Sequence, residues 1–339
     1  MCEIVAFTGG EGSPGRSFMA FNTAVTLGMM GFGVTMIEIG DPKSGVCAYF
    51  GLEPLHSCED FALGNCNPKE AVVHCGENLD LIVQGSSSAA LDRDKVGRLF
   101  TVATQLEKTD FLVVDAPEGV PDSLLPVVLA ATELFAVVTP EQMADFRSFW
   151  FIRKLSEICG GKHIHAIIDR APMPEISEIM CNRLEHDLGR VLGINMDCAW
   201  FVPEDPLVQE AARARLPFVT FAPASETSLR IMQLATAIEL ARRDRYQGKL
   251  RTILQSLLFD LQNQNLNPVR TEPKISPAEI RFLQRVIMEA LNSEEIDSVN
   301  FKNVYDVMRE IMEASQNFGF AFDRSGRSIN AFQEAHFAS

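Results

Sequence analysis

EIVAFTGGEGSPGRSFMAFNTAVTLG (residues 3–28) runs from a short apolar segment, through a glycine-rich loop, into a segment with helical spacing. Apolar residues at 3–7 read as a strand, and SFMAFNTAVTLGMMG (17–31) reads as a helix. Between them GGEGSPGRS (9–17) fits G-x-x-x-x-G-[basic]-[ST] from Gly10 to Ser17. Strand, loop and helix in that order place successive backbone N–H groups and a helix N-terminus around one point, which makes an anion cradle. The candidate phosphate-binding residues are therefore Gly10, Glu11, Gly12, Ser13, Pro14, Gly15, Arg16 and Ser17. The glycines permit close backbone approach to a phosphate, and the Ser17 hydroxyl is a candidate Mg²⁺ ligand. The loop holds no lysine, and Arg16 is its one basic residue. A glycine-rich turn can also join strand to helix with no ligand, so other segments must decide.

Outward from the loop, apolar runs recur at 33–39, 79–84, 110–116, 133–139 and 163–169, and a further strand is expected before VPEDPLVQEAARARLPFV (202–219). Nearly continuous apolar character marks strands buried on both faces, and helical patterns such as DSLLPVVLAATE (122–133) separate them. The pattern is that of an α/β domain with a doubly wound, mostly parallel sheet, in which ligands bind at the carboxyl ends of strands.

Composition narrows the classes. The 339 residues are 47% hydrophobic and 22% charged, with a net charge of −15, which fits a globular chain and disfavours a nucleic-acid surface. The amino terminus has no basic start and small-residue cleavage site, so a cytoplasmic protein is expected. Eight cysteines include no CxxC pair. His56, Cys58, Cys66, His74 and Cys75 lie close in sequence, but their spacing matches no standard zinc pattern and ordinary thiols are expected. His163 and His165 alternate on one strand and read as structural.

Three further segments accompany the loop. DFLVVDAPEGV (110–120) is an apolar strand ending in Asp115, IEIGDPKSG (37–45) places Asp41 before Pro42, and Pro203-Glu204-Asp205-Pro206 follows the later strand. Over residues 3–240 the set resembles the deviant Walker ATPase family of MinD and ParA. The resemblance implies a P-loop NTPase-like fold and a site for ATP or ADP with Mg²⁺. Ser17 and Asp115 would face the metal, Asp41 would orient the attacking water, and Asp169, Pro203 and Asp205 would lie at the base. A homodimer is implied too, because the family's first loop lysine reaches its partner's phosphates.

The chain departs from the family in four places. Glu11 stands where that cross-dimer lysine is expected, Arg16 where the second lysine is, and Ile39 where an earlier switch aspartate is. Asp169 replaces an asparagine that reads adenine; a carboxylate accepts hydrogen bonds but does not donate them, which opens guanine as an alternative. Phosphoryl transfer depends on placed positive charge, so these changes predict retained binding with lost hydrolysis. The alternative is an active ATPase in which Arg16 serves for lysine.

Past the α/β domain (1–245) the sequence predicts an amphipathic helix and linker over 246–275 and a helical extension over 276–339, with helices near 276–291 and 301–316 and a loose tail from Gly319. Arg242, Arg243, Arg245, Lys249 and Arg251 lead into a leucine-rich face. Such a segment suits intramolecular packing, a protein partner held through the C-terminal helices, or peripheral contact with the inner membrane. An iron-protein-like redox role lacks the paired cysteines it needs, and DNA segregation would rest on Arg213, Arg215 and Arg230 alone. The expected role is a MinD/ParA-like positioning or regulatory protein acting mainly through protein–protein interaction.

Overall fold

The computed structural model describes residues 2–12, 15–39, 45–50, 54–67, 70–76, 78–83, 91–103, 106, 109–172, 174–264, 320–322 and 328–330. Two compact units are present, Met1–Arg245 and Tyr246–Ser339.

The first unit is built on one sheet of eight strands. They are β1 (Glu3–Gly9), β2 (Val34–Glu38), β3 (Val73–His74), β4 (Leu79–Ile82), β5 (Phe111–Glu118), β6 (Glu133–Val138), β7 (Ile164–Ala171) and β8 (Met196–Pro203). Their order across the sheet is β3-β4-β2-β5-β1-β6-β7-β8. Every neighbouring pair is parallel except β3 with β4. The helices are α1 (Arg16–Met29), α2 (Val46–Phe50), α3 (Cys58–Leu63), α4 (Arg93–Ala103), α5 (Leu124–Ala130), α6 (Pro140–Ala144), α7 (Arg147–Ile158), α8 (Pro174–Leu184), α9 (Leu207–Ala214), α10 (Phe218–Phe221) and α11 (Glu226–Gln264), with a π-helical turn at Glu185–Val191.

The near-continuous apolar runs are explained by two cores, one on each face. Ile4, Ala6, Leu112, Val114, Leu134 and Ala136 point to the layer containing α4, α5 and α7. Their neighbours Val5, Phe7, Val113, Phe135 and Val137 point to the other layer, against Met19, Phe21 and Leu27 of α1 and Ile231, Leu234 and Ile238 of α11. Period-two alternation sends consecutive residues to opposite layers, so a strand buried on both sides shows no polar face. Phe7 and Phe135 stack at 5.1 Å between ring centroids.

The helix expected from 242 is the far part of α11, which is continuous from Glu226. Three of the five basic residues noted for a membrane surface are paired within the first unit. Arg242 is buried, 3.3 Å from Asp110 and over the rings of Phe32 and Phe111. Arg243 meets Glu239 at 3.1 Å, and Arg245 meets Glu133 and, at 2.9 Å, Glu3. Glu133 also holds His165 at 2.9 Å, and His165 holds Asp197 at 3.1 Å. Burial lowers the His165 pKa, but its bonds to Asp197 and Glu133 outweigh that and raise it to about 9.

In the second unit, Phe320–Phe322 (β9) and Ser328–Asn330 (β10) pair antiparallel. The tail from Gly319 therefore holds a short ladder where a loose end was expected. The helices expected at 276–291 and 301–316, and the linker beyond Gln264, lie outside the described residues. Among the described residues no helix is long and apolar enough to cross a membrane.

Candidate functional site: a phosphate loop closed by its own side chains

β1 and β5 lie side by side at the centre of the sheet, with α1 rising from the loop after β1. That places the loop and the end of β5 together at the carboxyl edge, where doubly wound sheets bind ligands. Gly15 caps α1 with no side-chain hydrogen bond, and the first turn carries no acidic residue, so the helix N-terminus faces the loop with its positive end. Two of the three glycines are required sterically. Gly12 has φ +70°, and a Cβ on Gly15 would lie 1.9 Å from an Asp169 oxygen. Gly10 has ordinary room, with Phe151 at 3.5 Å from an added Cβ. The side chain of Gln142, fixed by a capping box with Thr139, donates to the Glu11 carbonyl at 3.2 Å.

Arg16 turns inward. Its Nε donates to Asp115 Oδ1 at 2.5 Å, and Nη1 lies 4.0 Å from Glu118. Both members of the Arg16–Asp115 pair are buried. Burial raises the Asp115 pKa, with the Arg16 charge and the Ser17 hydroxyl opposing. Glu118 adds a second closure, because its Oε2 accepts the Gly12 N–H at 3.2 Å. A loop amide of the cradle is thus bound to an internal carboxylate.

Two buried atoms, Arg16 Nη1 and Asp115 Oδ2, have no hydrogen-bond partner. Nη1 suits a phosphate oxygen, so the residues fit an anion. They fit Mg²⁺ poorly in this arrangement, since a guanidinium sits on the carboxylate that would ligate it.

The structure gathers Gly12, Gly15, Arg16, Asp115 and Asp169 around the loop, with Ser17 in the first turn of α1. Asp169 is buried and its pKa is pushed up to about 6; burial is the chief cause, Arg170 opposes it, and Glu141 and Glu204 add to it. Pro203 closes β8 and accepts the Thr227 hydroxyl through its carbonyl at 3.0 Å. Asp205 accepts the Leu207 N–H at 2.9 Å, a local cap on α9. Asp41, Ser13 and Pro14 lie outside the described residues. Ile39 is a core residue, as befits a position without a metal-facing carboxylate.

Glu118 is the residue that motif reading missed; its signal was a carboxylate directly after Asp115-Ala116-Pro117. The five residues of the cysteine–histidine cluster do not converge: Cys58 Sγ donates to the Glu38 carbonyl at 3.4 Å, and His74 pairs with Asp80 at 2.5 Å.

No family model matches the chain. The antiactivator FleN of Pseudomonas aeruginosa is 22% identical over 241 residues, spanning 70% of this chain and 86% of that protein. An ATP-binding protein of Methanocaldococcus jannaschii is 26% identical over 262 residues, spanning 76% of this chain and 94% of that protein. Among solved structures, MinD of Aquifex aeolicus in complex with MinC gives a TM-score of 0.59 at 20% identity, covering 70% of this chain and 96% of that chain. The α/β unit has the fold of the MinD/ParA P-loop proteins. A further solved structure, MinD of Pyrococcus horikoshii with Mg-ADP, gives a TM-score of 0.55 at 20% identity, covering 70% of this chain and 96% of that chain. The fold of the MinD/ParA family therefore accounts for the α/β unit.

Proposed function

We infer that this MinD/ParA-like protein is a positioning or regulatory factor with a degenerate nucleotide site, acting mainly through protein–protein contacts. The carrying observation is the buried Arg16–Asp115 ion pair beside a loop whose Gly12 amide is held by Glu118. A nucleotide must open both contacts before its phosphates reach the cradle. Breaking a buried ion pair costs about 3–5 kcal/mol. Each 1.4 kcal/mol is about tenfold in affinity, so binding is weakened by about 100-fold or more unless the phosphates take over the guanidinium. Glu11 adds a negative charge to the same loop. The names of the relatives, an antiactivator and MinD bound to MinC, support regulation by contact.

The protein acts as a homodimer in the cytoplasm, with a partner held by its C-terminal helices. Any peripheral contact with the inner membrane rests chiefly on Lys249 and Arg251, since the arginines before them are paired.

The second reading, an ATPase using Arg16 in place of lysine, is favoured by Arg16 Nη1, a buried donor without a partner. Melting temperature with ATP, ADP or GTP, with and without Mg²⁺, together with steady-state ATP hydrolysis, separates the two. The degenerate site predicts background hydrolysis in the wild type and tighter nucleotide binding in Glu118→Gln, which removes a charge and loosens the Gly12 amide. Hydrolysis at rates typical of family ATPases, abolished by Arg16→Ala, would establish the second reading instead.

A further inference from the structure

At the edge of the sheet opposite the phosphate loop, the amino-terminal ends of β7 and β8 bring a second set of ligating side chains together. His163 precedes β7 and His165 lies within it; a spacing of two puts both rings on one face, edge to face at 4.6 Å. Asp197 of β8 is the Cα partner of His165 and offers one oxygen to each ring. Oδ2 is 3.0 Å from His163 Nε2, and Oδ1 is 3.1 Å from His165 Nδ1.

The outer nitrogens are engaged as well. His163 Nδ1 lies 2.9 Å from Asn195 Oδ1, and His165 Nε2 lies 2.9 Å from Glu133 Oε2. Oxygen acceptors on the far nitrogens hold the orientation of each ring, and a metal would take the place of the proton that each inner nitrogen shares with Asp197. Metal-binding histidines are held in this way by carboxylates and carbonyl oxygens behind them. The three ligand atoms lie within 4.8 Å of one another, the one such grouping found among the described residues. Bonds of about 2.0–2.1 Å in a tetrahedral site put neighbouring ligand atoms about 3.3 Å apart. The 3.0 and 3.1 Å contacts go to different oxygens of Asp197, so the three ligand atoms, within 4.8 Å of one another, close by at most about 1.5 Å to reach that spacing.

We propose that His163, His165 and Asp197 form a binding site for a divalent transition metal of the zinc type. Two imidazoles and one carboxylate, without a thiolate, suit zinc, cobalt or nickel more than magnesium or calcium. The side chains of His163 and Asp197 are 39% and 37% exposed, so solvent reaches the site and water completes the coordination. Without a metal the same atoms form an ion-paired network that ties β6, β7 and β8 together, and this is the competing account.

The two accounts part in one experiment. The full-length protein is stripped with chelator and titrated with Zn²⁺, and separately with Co²⁺, in the presence of millimolar Mg²⁺. The metal site predicts saturable binding of one equivalent, a rise in melting temperature, and a visible Co²⁺ spectrum of low coordination number. His163→Ala and Asp197→Asn should abolish these signals, whereas His74→Ala, at an exposed histidine paired with another aspartate, should leave them intact. Asn195→Ala should weaken zinc by about 10- to 100-fold through loss of ring orientation. If no saturable binding occurs at micromolar zinc, or if His163→Ala and Asp197→Asn bind as the wild type does, the network is structural only and the proposal fails.

Discussion

Asp169 shows how far one residue can depart from its family pattern while keeping its place. It sits at the end of β7 against Gly15, where the family resemblance expects asparagine, and burial raises its pKa from 3.8 to about 6. A raised carboxyl binds more protons folded than unfolded. Its contribution to stability is therefore complete below the unfolded value near 3.8 and is lost as pH rises through about 6. At neutral pH the chain holds a buried charge, and Asp169→Asn should stabilise it by on the order of 2–3 kcal/mol. Urea unfolding at pH 7.5, 5 and 4 should show that advantage shrinking as pH falls; a pH-independent difference would point to packing instead. At this same scale the sequence was only half legible. The spacing of Gly10, Gly15 and Ser17 located the loop, but the partner of Arg16 lies 99 residues away, and no local pattern encodes a side chain turning inward.

Elements were legible where burial imposes a pattern. The apolar runs at 3–7, 110–116 and 133–139 became β1, β5 and β6 because a strand covered on both faces has no polar alternation to blur it. The antiparallel β3 escaped notice, since two residues, Val73 and His74, are too few to show any period. α11 was entered too late, because its first half carries only a narrow apolar stripe, Ile231, Leu234 and Ile238. Helix ends supply a test at this scale. α9 stops at Arg215, which adopts φ 54°, a left-handed conformation suited to glycine. Arg215 is exposed, so Arg215→Gly removes backbone strain without disturbing a core and should stabilise by about 0.5–1 kcal/mol. A small rise in melting temperature would bear this out, and a fall would show that the arginine contributes contacts of its own.

Across the whole molecule, two apolar layers share one sheet, and the sheet has two chemically distinct edges. Its carboxyl edge bears a loop whose arginine is held by internal carboxylates, and its amino edge bears histidines gathered around a carboxylate. Both depend on the central strands keeping their register. Phe7→Ala, which removes a fully buried ring stacked on Phe135, should cost about 3–5 kcal/mol in chemical denaturation. A loss below 1 kcal/mol would mean that the layer repacks freely.

β7 belongs to both edges. Asp169 lies four positions after His165, a span of about 13 Å along a strand. Hydrogen-bonded to neighbours on both sides, it behaves less like a tether than like a rod. Thermodynamics then imposes a symmetry on whatever binds at its ends. If zinc at the amino edge changes nucleotide affinity by some factor, nucleotide must change zinc affinity by the same factor. Where that factor differs from one, either ligand can serve as the reporter for the other, and a chelator that strips one end also shifts binding at the other.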